Sequence, residues 1–468
     1  MDLVAKAAEK HGDSTAIISE KETLSFRDLE TTTARLTNVL LHHGIQKGDV
    51  VTFCMPNSPE MVLLLLTLLR MESIAAPLNY RFPSSRLQTL LQPLKPAALV
   101  GSKDLTDKLS SPLKLDPEKI VAESTVEKPV FRHAESSPQL NTSVSIIHTS
   151  SSSGTPKAAL HSLGNHHYSA LGSNENLPFG PGDRWLLSLP LFHIGGYAML
   201  FRSLLGGGAL AIAEPGTPIQ DTLVRFQLSH LSLVPTQLYR MLHDKQALKH
   251  LQNLKAILLG GSAVEPALLT EASVAELPVY LTYGSTEMSS QIATTPGPVS
   301  TITTGRVLPY RELSIGPGEE ILVKGPCLFQ GYLSDKGPVL ETDDSGWFHT
   351  GDTGMFMPEG ELQVTGRTDN MFISGGENIH PEEIERALCS LTGVLRAVVV
   401  PTPDPEYGLR PSAFIETSEK APNDWEIMDN LSREIGKLKT PVTITRIEEW
   451  RLLPGTEKID RGYYKNLV

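Results

Sequence analysis

Through its first two thirds the chain alternates short, apolar, β-rich runs with stretches of helical periodicity. Runs at Ala97–Val100, Val144–Ile147, Leu231–Val234 and Ala256–Leu259 are separated by patterns such as Phe26–His43 and Pro59–Met71. Alternation of this kind predicts α/β units built on parallel sheets. A length of 468 residues leaves room for about three domain-sized units. With 40% hydrophobic and 20% charged residues, the chain has ample material for large cores. From about Gly305 to Val364 the texture changes to short alternating segments, such as Glu320–Val323 and Glu361–Thr365, set between Pro and Gly. That predicts a small antiparallel β region. Beyond the polar stretch Gly366–Asn370, Pro381 opens a helix running to Ser390, with Glu382, Glu383 and Glu385 in its early turns; an apolar strand follows at Val394–Val400. Proline first and acids in the first turn mark a helix start. The expected fold class is α/β. A large N-terminal domain, residues 1–368, would hold parallel α/β subdomains and the small β region, with a smaller α+β C-terminal domain at 369–468.

The formal net charge of −12 argues against a nucleic-acid partner, since such binding needs a basic surface. An anionic ligand would need a locally basic site or backbone amides. Cys54, Cys327 and Cys389 are too far apart for a close-spaced metal motif, and a sparse, odd count fits a reducing compartment. Met1–Asp13 lacks the apolar core of a secretion signal. The longest apolar run, near Met61–Leu69, is far short of the ~20 residues that a membrane span requires. A cytoplasmic protein without stable membrane insertion is expected.

Several segments have the composition of a ligand site. Thr149-Ser150-Ser151-Ser152-Ser153-Gly154-Thr155-Pro156-Lys157 follows the apolar run Val144–Ile147. It offers amides, hydroxyls and one cation, the groups that hold polyphosphate, without the spacing of a Walker loop. A Ser-rich linker is the plain alternative. Tyr283-Gly284-Ser285-Thr286-Glu287 sets an aromatic, a hydroxyl and a carboxylate together. Oxygen donors of this kind suit Mg²⁺, although a lone Glu is commonly just a solvated loop acid. Asp352, in Thr350-Gly351-Asp352, is either a turn residue or an acceptor for ribose hydroxyls. Gly366-Arg367 with Asp369, the run Ser374-Gly375-Gly376-Glu377-Asn378 entering the helix at Pro381, and Lys458 in Pro454-Gly455-Thr456-Glu457-Lys458-Ile459 complete the set.

In this order the segments resemble the adenylate-forming superfamily of acyl-CoA synthetases, luciferases and nonribosomal adenylation domains. The resemblance runs from Leu24-Ser25-Phe26-Arg27-Asp28-Leu29 to Lys458. Within it, Trp185–His193, Phe201–Gly206, Leu231–Leu238, Leu254–Gly261, Lys157–His161 and Ile373 look like the o-succinylbenzoate–CoA ligases of menaquinone and phylloquinone biosynthesis. The resemblance implies ATP, Mg²⁺ and CoA acting on a small carboxylic acid, with a homodimer kept open. It implies that Thr149–Lys157 holds the β- and γ-phosphates and that Glu287, with Thr286, places Mg²⁺. Tyr283 would stack on adenine with Gly284 beside it, and the backbone from Gly260 to Ala263, Gly260 and Gly261 above all, would run along the pocket. Asp352 would bind ribose and Arg367 would assist beside it. Lys458 would bridge the acid and the α-phosphate. The smaller domain would be mobile about Asp369 and would bring Gly375, Gly376 and Glu377 to the CoA thiol. His193 would sit at the acyl pocket and gate the approach of the thiol, a packed turn residue being the plain alternative, and Gly261 would border the same pocket.

Arg202 stands in the apolar stretch Ala198–Leu205, where a cation is costly unless paired. o-Succinylbenzoate carries a second carboxylate, which bidentate Arg suits; a snorkelling surface Arg is the alternative. A ligase for another aryl or fatty acid, or a catalytically weak homologue with a binding role, are the competing readings. The chain departs from the family pattern at Ser151, where Gly is usual, and at Glu457 before Lys458; Lys465 is a second late lysine. A non-Gly residue in a left-handed conformation at Ser151 would cost about 1–2 kcal/mol. Ser151→Gly is therefore expected to lower the Michaelis constant for ATP; an unchanged or higher value would count against this account.

Overall fold

The helix Pro59–Met71 shows how the core is assembled. Ser58 caps it by accepting from the Met61 amide, Pro59 opens it, and every side chain from Met61 to Met71 is buried. A helix apolar on all sides must be covered on all sides. Here it packs into a single core with Val51 and Ala75 of one sheet and Ile17, Trp185 and Leu210 of another. This is a computed structural model, and it describes residues 2–129, 139–149, 156–261, 264, 266–300, 302–453 and 459–468.

The two sheets have nine and eight strands. In the first, Val279–Ser285, Ala256–Leu259, His230–Leu233, Arg184–Leu186, Ala209–Ile212 and Thr15–Ser19 run parallel in that spatial order. In the second, Ser143–His148, Ile74–Pro77, Val50–Phe53, Ala98–Val100 and Lys114–Leu115 are parallel. Helices between successive parallel strands return the chain to the same edge. Antiparallel strands extend both sheets: Ser290–Thr294 on the first, Ala158–Ser162 and Gly331–Ser334 on the second.

The antiparallel region expected between Gly305 and Val364 is divided. Glu312–Ile315, Glu320–Lys324, Phe348–Phe356 and Leu362–Arg367 form a four-stranded antiparallel sheet. Gly331–Ser334 and Gly337–Val339, from the same stretch, instead complete the eight-stranded sheet, because Gly331 and Tyr332 pair with Leu160 and Ala159. After Arg367 comes a smaller α+β unit. The strands Val394–Asp404, Gly408–Thr417 and Thr443–Arg446 carry the helices Pro381–Cys389 and Asp424–Glu434 over a core of Ile384, Leu388, Val399, Ile415, Ile427 and Leu431. The chain is thus mixed α/β, with a large N-terminal part of mainly parallel sheets and a smaller C-terminal part. Among the described residues no helix is long and apolar enough to cross a membrane.

Leu65→Ala should leave a cavity in the core shared by both large sheets. It is expected to cost about 2–5 kcal/mol, measured as a lower urea midpoint with little change in slope.

Candidate active site

One wall is built by strand register. The strand Val279–Ser285 presents Tyr283, whose hydroxyl donates to Asp352 Oδ2 at 2.6 Å. Asp352 lies opposite Arg367 across two antiparallel strands, and Arg367 donates to Asp352 Oδ1 at 2.7 Å and to Asp369 at 3.1 Å. Burial pushes the Asp352 carboxyl up, and Arg367 opposes that shift. Burial, with Asp352 adding to it, holds the Tyr283 phenol well above its ordinary range. A carboxylate with two partners keeps acceptor capacity, so Asp352 can still take a hydroxyl. Gly284 is required by packing, because a Cβ there would lie 2.1 Å from the Ser290 carbonyl oxygen. Gly260 follows the strand Ala256–Leu259, with its Cα face closed by Thr282, and Gly261 has φ +87°.

A second group forms at the antiparallel pair Ser143–His148 and Ala158–Ser162. The segment joining these strands begins and ends on paired residues: the Thr149 amide donates to the Lys157 carbonyl at 2.9 Å. Ser150, Ser151, Ser152, Ser153 and Gly154 lie outside the described residues. The Lys157 ammonium sits 4.8 Å from the centre of the Tyr332 ring, and the Tyr332 hydroxyl donates to Glu287 Oε1. Burial first, then Glu287, raises the Tyr332 phenol well above its ordinary range, so it remains a donor. His161 Nε2 donates to the Thr286 carbonyl at 2.7 Å. Thr286 and Glu287 carry hard oxygen donors, and Glu287 is joined through Tyr332 to the Lys157 cation. Mg²⁺ fits such a site, since it is commonly held by one or two carboxylates with substrate phosphates completing the shell. Among the described residues no cluster of three His, Cys, Asp or Glu could hold a metal alone.

A third group lies on the helix Ile194–Gly206, which His193 precedes as N-cap, its ring 4.7 Å from Phe192. Arg202 is not a snorkelling surface residue: it is 2% exposed. Its guanidinium donates to Ser290 Oγ at 3.2 Å, touches Met199 Sδ at 3.5 Å and lies 5.8 Å from the Trp185 ring centre. Its Nε has no partner, and among the described residues no carboxylate pairs with it. Burial, and then neighbouring Arg311, push it down to about 9, so it stays charged at neutral pH. Ser290 has φ +113° and Ser289 φ +56°, unusual values for non-glycine residues and of the kind found at ligand clamps. Neither Ser290 nor Tyr332 has a local signature; only an aromatic or hydroxyl among many marks them.

In the C-terminal part, the run that enters the helix at Pro381 is a hairpin. Phe372–Ser374 pairs with Glu377–Ile379, and Gly375 and Gly376, at φ +55° and +89°, form its turn. Two adjacent residues with φ > 0 are what a tight primed turn needs. Glu377 is exposed there. Lys458 lies outside the described residues; flanking it, Leu452 bridges to Ile459. Lys465 is exposed, on the helix Arg461–Lys465.

A mainly parallel α/β fold thus carries a Tyr–Asp–Arg chain, a lysine joined to a carboxylate through Tyr332, and a compact C-terminal unit, the architecture of an adenylate-forming class of enzyme. The chain belongs to the AMP-binding enzyme family: residues 4–333 match it, and residues 383–458 match the family's C-terminal domain. Among curated relatives, the 2-succinylbenzoate–CoA ligase of Salmonella typhimurium is 34% identical over 441 residues, covering 93% of this chain and 90% of that one. The same-named Escherichia coli enzyme is 33% identical, covering 98% and 96%. Among solved structures, o-succinylbenzoate CoA synthetase (MenE) of Bacillus subtilis with the acyl-adenylate intermediate OSB-AMP superposes with a TM-score of 0.86 at 26% identity, covering 99% of this chain and 98% of that one. The same enzyme with ATP and magnesium gives 0.84 at 26% identity, covering 98% of each chain.

The buried imidazoles behind Thr286 should make the protein sensitive to acid. His161 is fully buried and burial pushes it down to about 4, from an ordinary value of 6.5; burial also holds His166 well below that value. Below pH 6.5 the unfolded chain binds protons that the folded chain refuses, so stability falls with pH. His161 alone should remove about 3 kcal/mol between pH 6.5 and 4. Chemical unfolding across that range checks it, and His161→Gln should flatten the slope.

Proposed function

We propose that this chain adenylates o-succinylbenzoate with ATP and passes the acyl group to CoA, giving o-succinylbenzoyl-CoA, AMP and pyrophosphate. A carboxylate does not acylate a thiol directly, because its leaving group would be oxide. In the first step the aliphatic carboxylate oxygen attacks the α-phosphorus and pyrophosphate leaves. In the second the CoA thiolate attacks the acyl carbon and AMP leaves. Both steps depend mainly on positioning and on neutralising charge. Tyr283 and the backbone at Gly260 and Gly261 border the base, while Asp352 takes the ribose hydroxyls with Arg367 beside it. Thr149, Lys157 and the segment between them hold the β- and γ-phosphates. Mg²⁺, placed by Glu287 and Thr286, would neutralise phosphate charge. Lys458 bridges the acid and the α-phosphate, and His193 borders the path of the thiol. The reading includes a boundary at 368/369, a smaller domain that turns about Asp369, and approach of Gly375, Gly376 and Glu377 to CoA.

The observation that carries the choice of acid is Arg202: a buried cation with an unpartnered Nε and no described carboxylate beside it. A buried charge without a counter-charge is costly, and the non-reacting carboxylate of a dicarboxylic substrate would supply one. A monocarboxylic fatty acid would leave Arg202 stranded. Three buried free thiols support a reducing, cytoplasmic setting, and a homodimer belongs to the same reading on the resemblance alone.

Incubation with ATP, Mg²⁺ and a panel of acids, with and without CoA, should give AMP and thioester with o-succinylbenzoate and little with benzoate or a fatty acid. Arg202→Ala should raise the Michaelis constant for o-succinylbenzoate about 10- to 100-fold, as expected for a lost hydrogen bond to a charged group. A Michaelis constant left within a factor of two would sink the assignment of Arg202.

A further inference from the structure

Tyr332 has no part in the roles given above, yet it joins two of the groups that have one. Its strand, Gly331–Ser334, runs antiparallel to Ala158–Ser162 with Tyr332 opposite Ala159. That register sets the ring beside Lys157, whose ammonium lies 4.8 Å from the ring centre. The hydroxyl reaches the other way and donates to Glu287 Oε1. Phe329 packs edge-on against the Tyr332 ring at 4.8 Å. The Phe329 amide donates to the Glu287 carbonyl at 2.7 Å. The short segment from Phe329 to Tyr332 therefore grips Glu287 at both its backbone and its side chain. Across the same strand pair, His161 grips the carbonyl of the preceding residue, Thr286, at 2.7 Å.

Resting on the reading of Glu287 as the carboxylate that places Mg²⁺, we propose that Tyr332 is a positioning residue. Its hydroxyl fixes the Glu287 carboxylate in the orientation that Mg²⁺-bound ATP requires, and its ring face holds the Lys157 ammonium toward the same phosphates. The physics is that of outer-shell control of a metal ligand. A carboxylate on a flexible side chain samples several rotamers, and a donor on one oxygen removes that freedom and leaves the other oxygen to the cation. The ring adds a second effect, because an ammonium over a phenol face is attracted electrostatically without being neutralised. Lys157 thereby keeps its full charge for phosphate, which an ion pair with Glu287 would have reduced.

Tyr332→Phe tests this, since it removes one oxygen and keeps the ring between Phe329 and Lys157. The readout is ATP binding by equilibrium dialysis with labelled ATP and no acid, across a Mg²⁺ titration, so turnover does not enter. The Mg²⁺ concentration giving half-maximal ATP binding should rise roughly tenfold, the lower end of what losing an outer-shell partner costs. Thermal unfolding without Mg²⁺ should be unchanged. So should transfer from preformed acyl adenylate to CoA, which needs no metal-bound triphosphate. An unchanged Mg²⁺ midpoint would overturn the proposal. So would equal weakening of ATP binding at every Mg²⁺ concentration together with a lower unfolding temperature, which would mark a purely structural tyrosine. If the unsubstituted protein shows no Mg²⁺-dependent ATP binding at all, the functional reading fails, and the proposal with it.

Discussion

The strand Ala158–Ser162 is paired on both sides, to Ser143–His148 and to Gly331–Ser334, and much of the candidate site follows from that pairing. Its first partner brings the backbones of Thr149 and Lys157 together. Its second partner brings Tyr332 to Lys157. Its own inward residue, His161, reaches the Thr286 carbonyl. A one-residue slip would turn each of these side chains to the opposite face. The register is protected because Ala159 and Leu160 are buried on either side of the strand. The same register sends His161 into a dry wall with His166 and Phe329, where a neutral imidazole is the stable form. Placement of the Glu287 carboxylate and the depressed His161 imidazole thus have a common structural origin.

The electrostatics around Arg202 run against the protein's net charge. In a chain of formal charge −12, Arg202 and Arg311 are both nearly fully buried and near enough for Arg311 to depress Arg202. Arg311 is satisfied by oxygens that carry no formal charge: the carbonyls of Gln291, Pro309 and Ser169 and the Ser169 hydroxyl. Arg202 has Ser290 and a thioether. Two guanidinium groups without described acids make the region between the helices Leu163–Asn176 and Ile194–Gly206 and the strand Ser290–Thr294 positive. Such a region favours an anionic ligand and disfavours a purely apolar one. The backbone has positive φ at Ser289 and Ser290, and the Ser290 hydroxyl accepts from Arg202.

The C-terminal part is organised by the helix Pro381–Cys389, whose acids each hold a different segment. Glu382 accepts from Asn370 at 2.5 Å, Glu383 pairs with Lys439 at 2.6 Å, and Glu385 takes Arg461 in a bidentate pair at 2.6 and 3.0 Å. Arg386 donates to the Thr365 carbonyl at 3.1 Å, on the far side of the proposed hinge at Asp369. One helix therefore ties the hinge, the Lys439 loop and the segment following Lys458. In the proposed rotation these would move as one piece, and the Arg386–Thr365 contact would be among those broken.

Local features were legible in the sequence because their causes are local. Apolar periodicity marked the helix Pro59–Met71 and the strand Ala256–Leu259 to the residue. Proline and early acids marked the helix at Pro381. The motif residues Tyr283, Asp352 and Arg367 lie in one hydrogen-bonded chain. The sequence did not separate Gly331–Ser334 from the antiparallel region around it, nor foresee the hairpin at Gly375-Gly376, since strand partners and turn type depend on what lies across the sheet. It could not couple Tyr332 to Glu287, Tyr283 to Asp352 or His161 to Thr286, separated along the chain by 45, 69 and 125 residues. By itself the sequence determined the class of fold and the inventory of chemical groups, because periodicity, turn residues and motif spacing are properties of neighbouring residues. Only the tertiary structure decided which of those groups meet, which cation is stripped of water and which carboxylate is held still, because strand register and burial are set by contacts between distant parts of the chain.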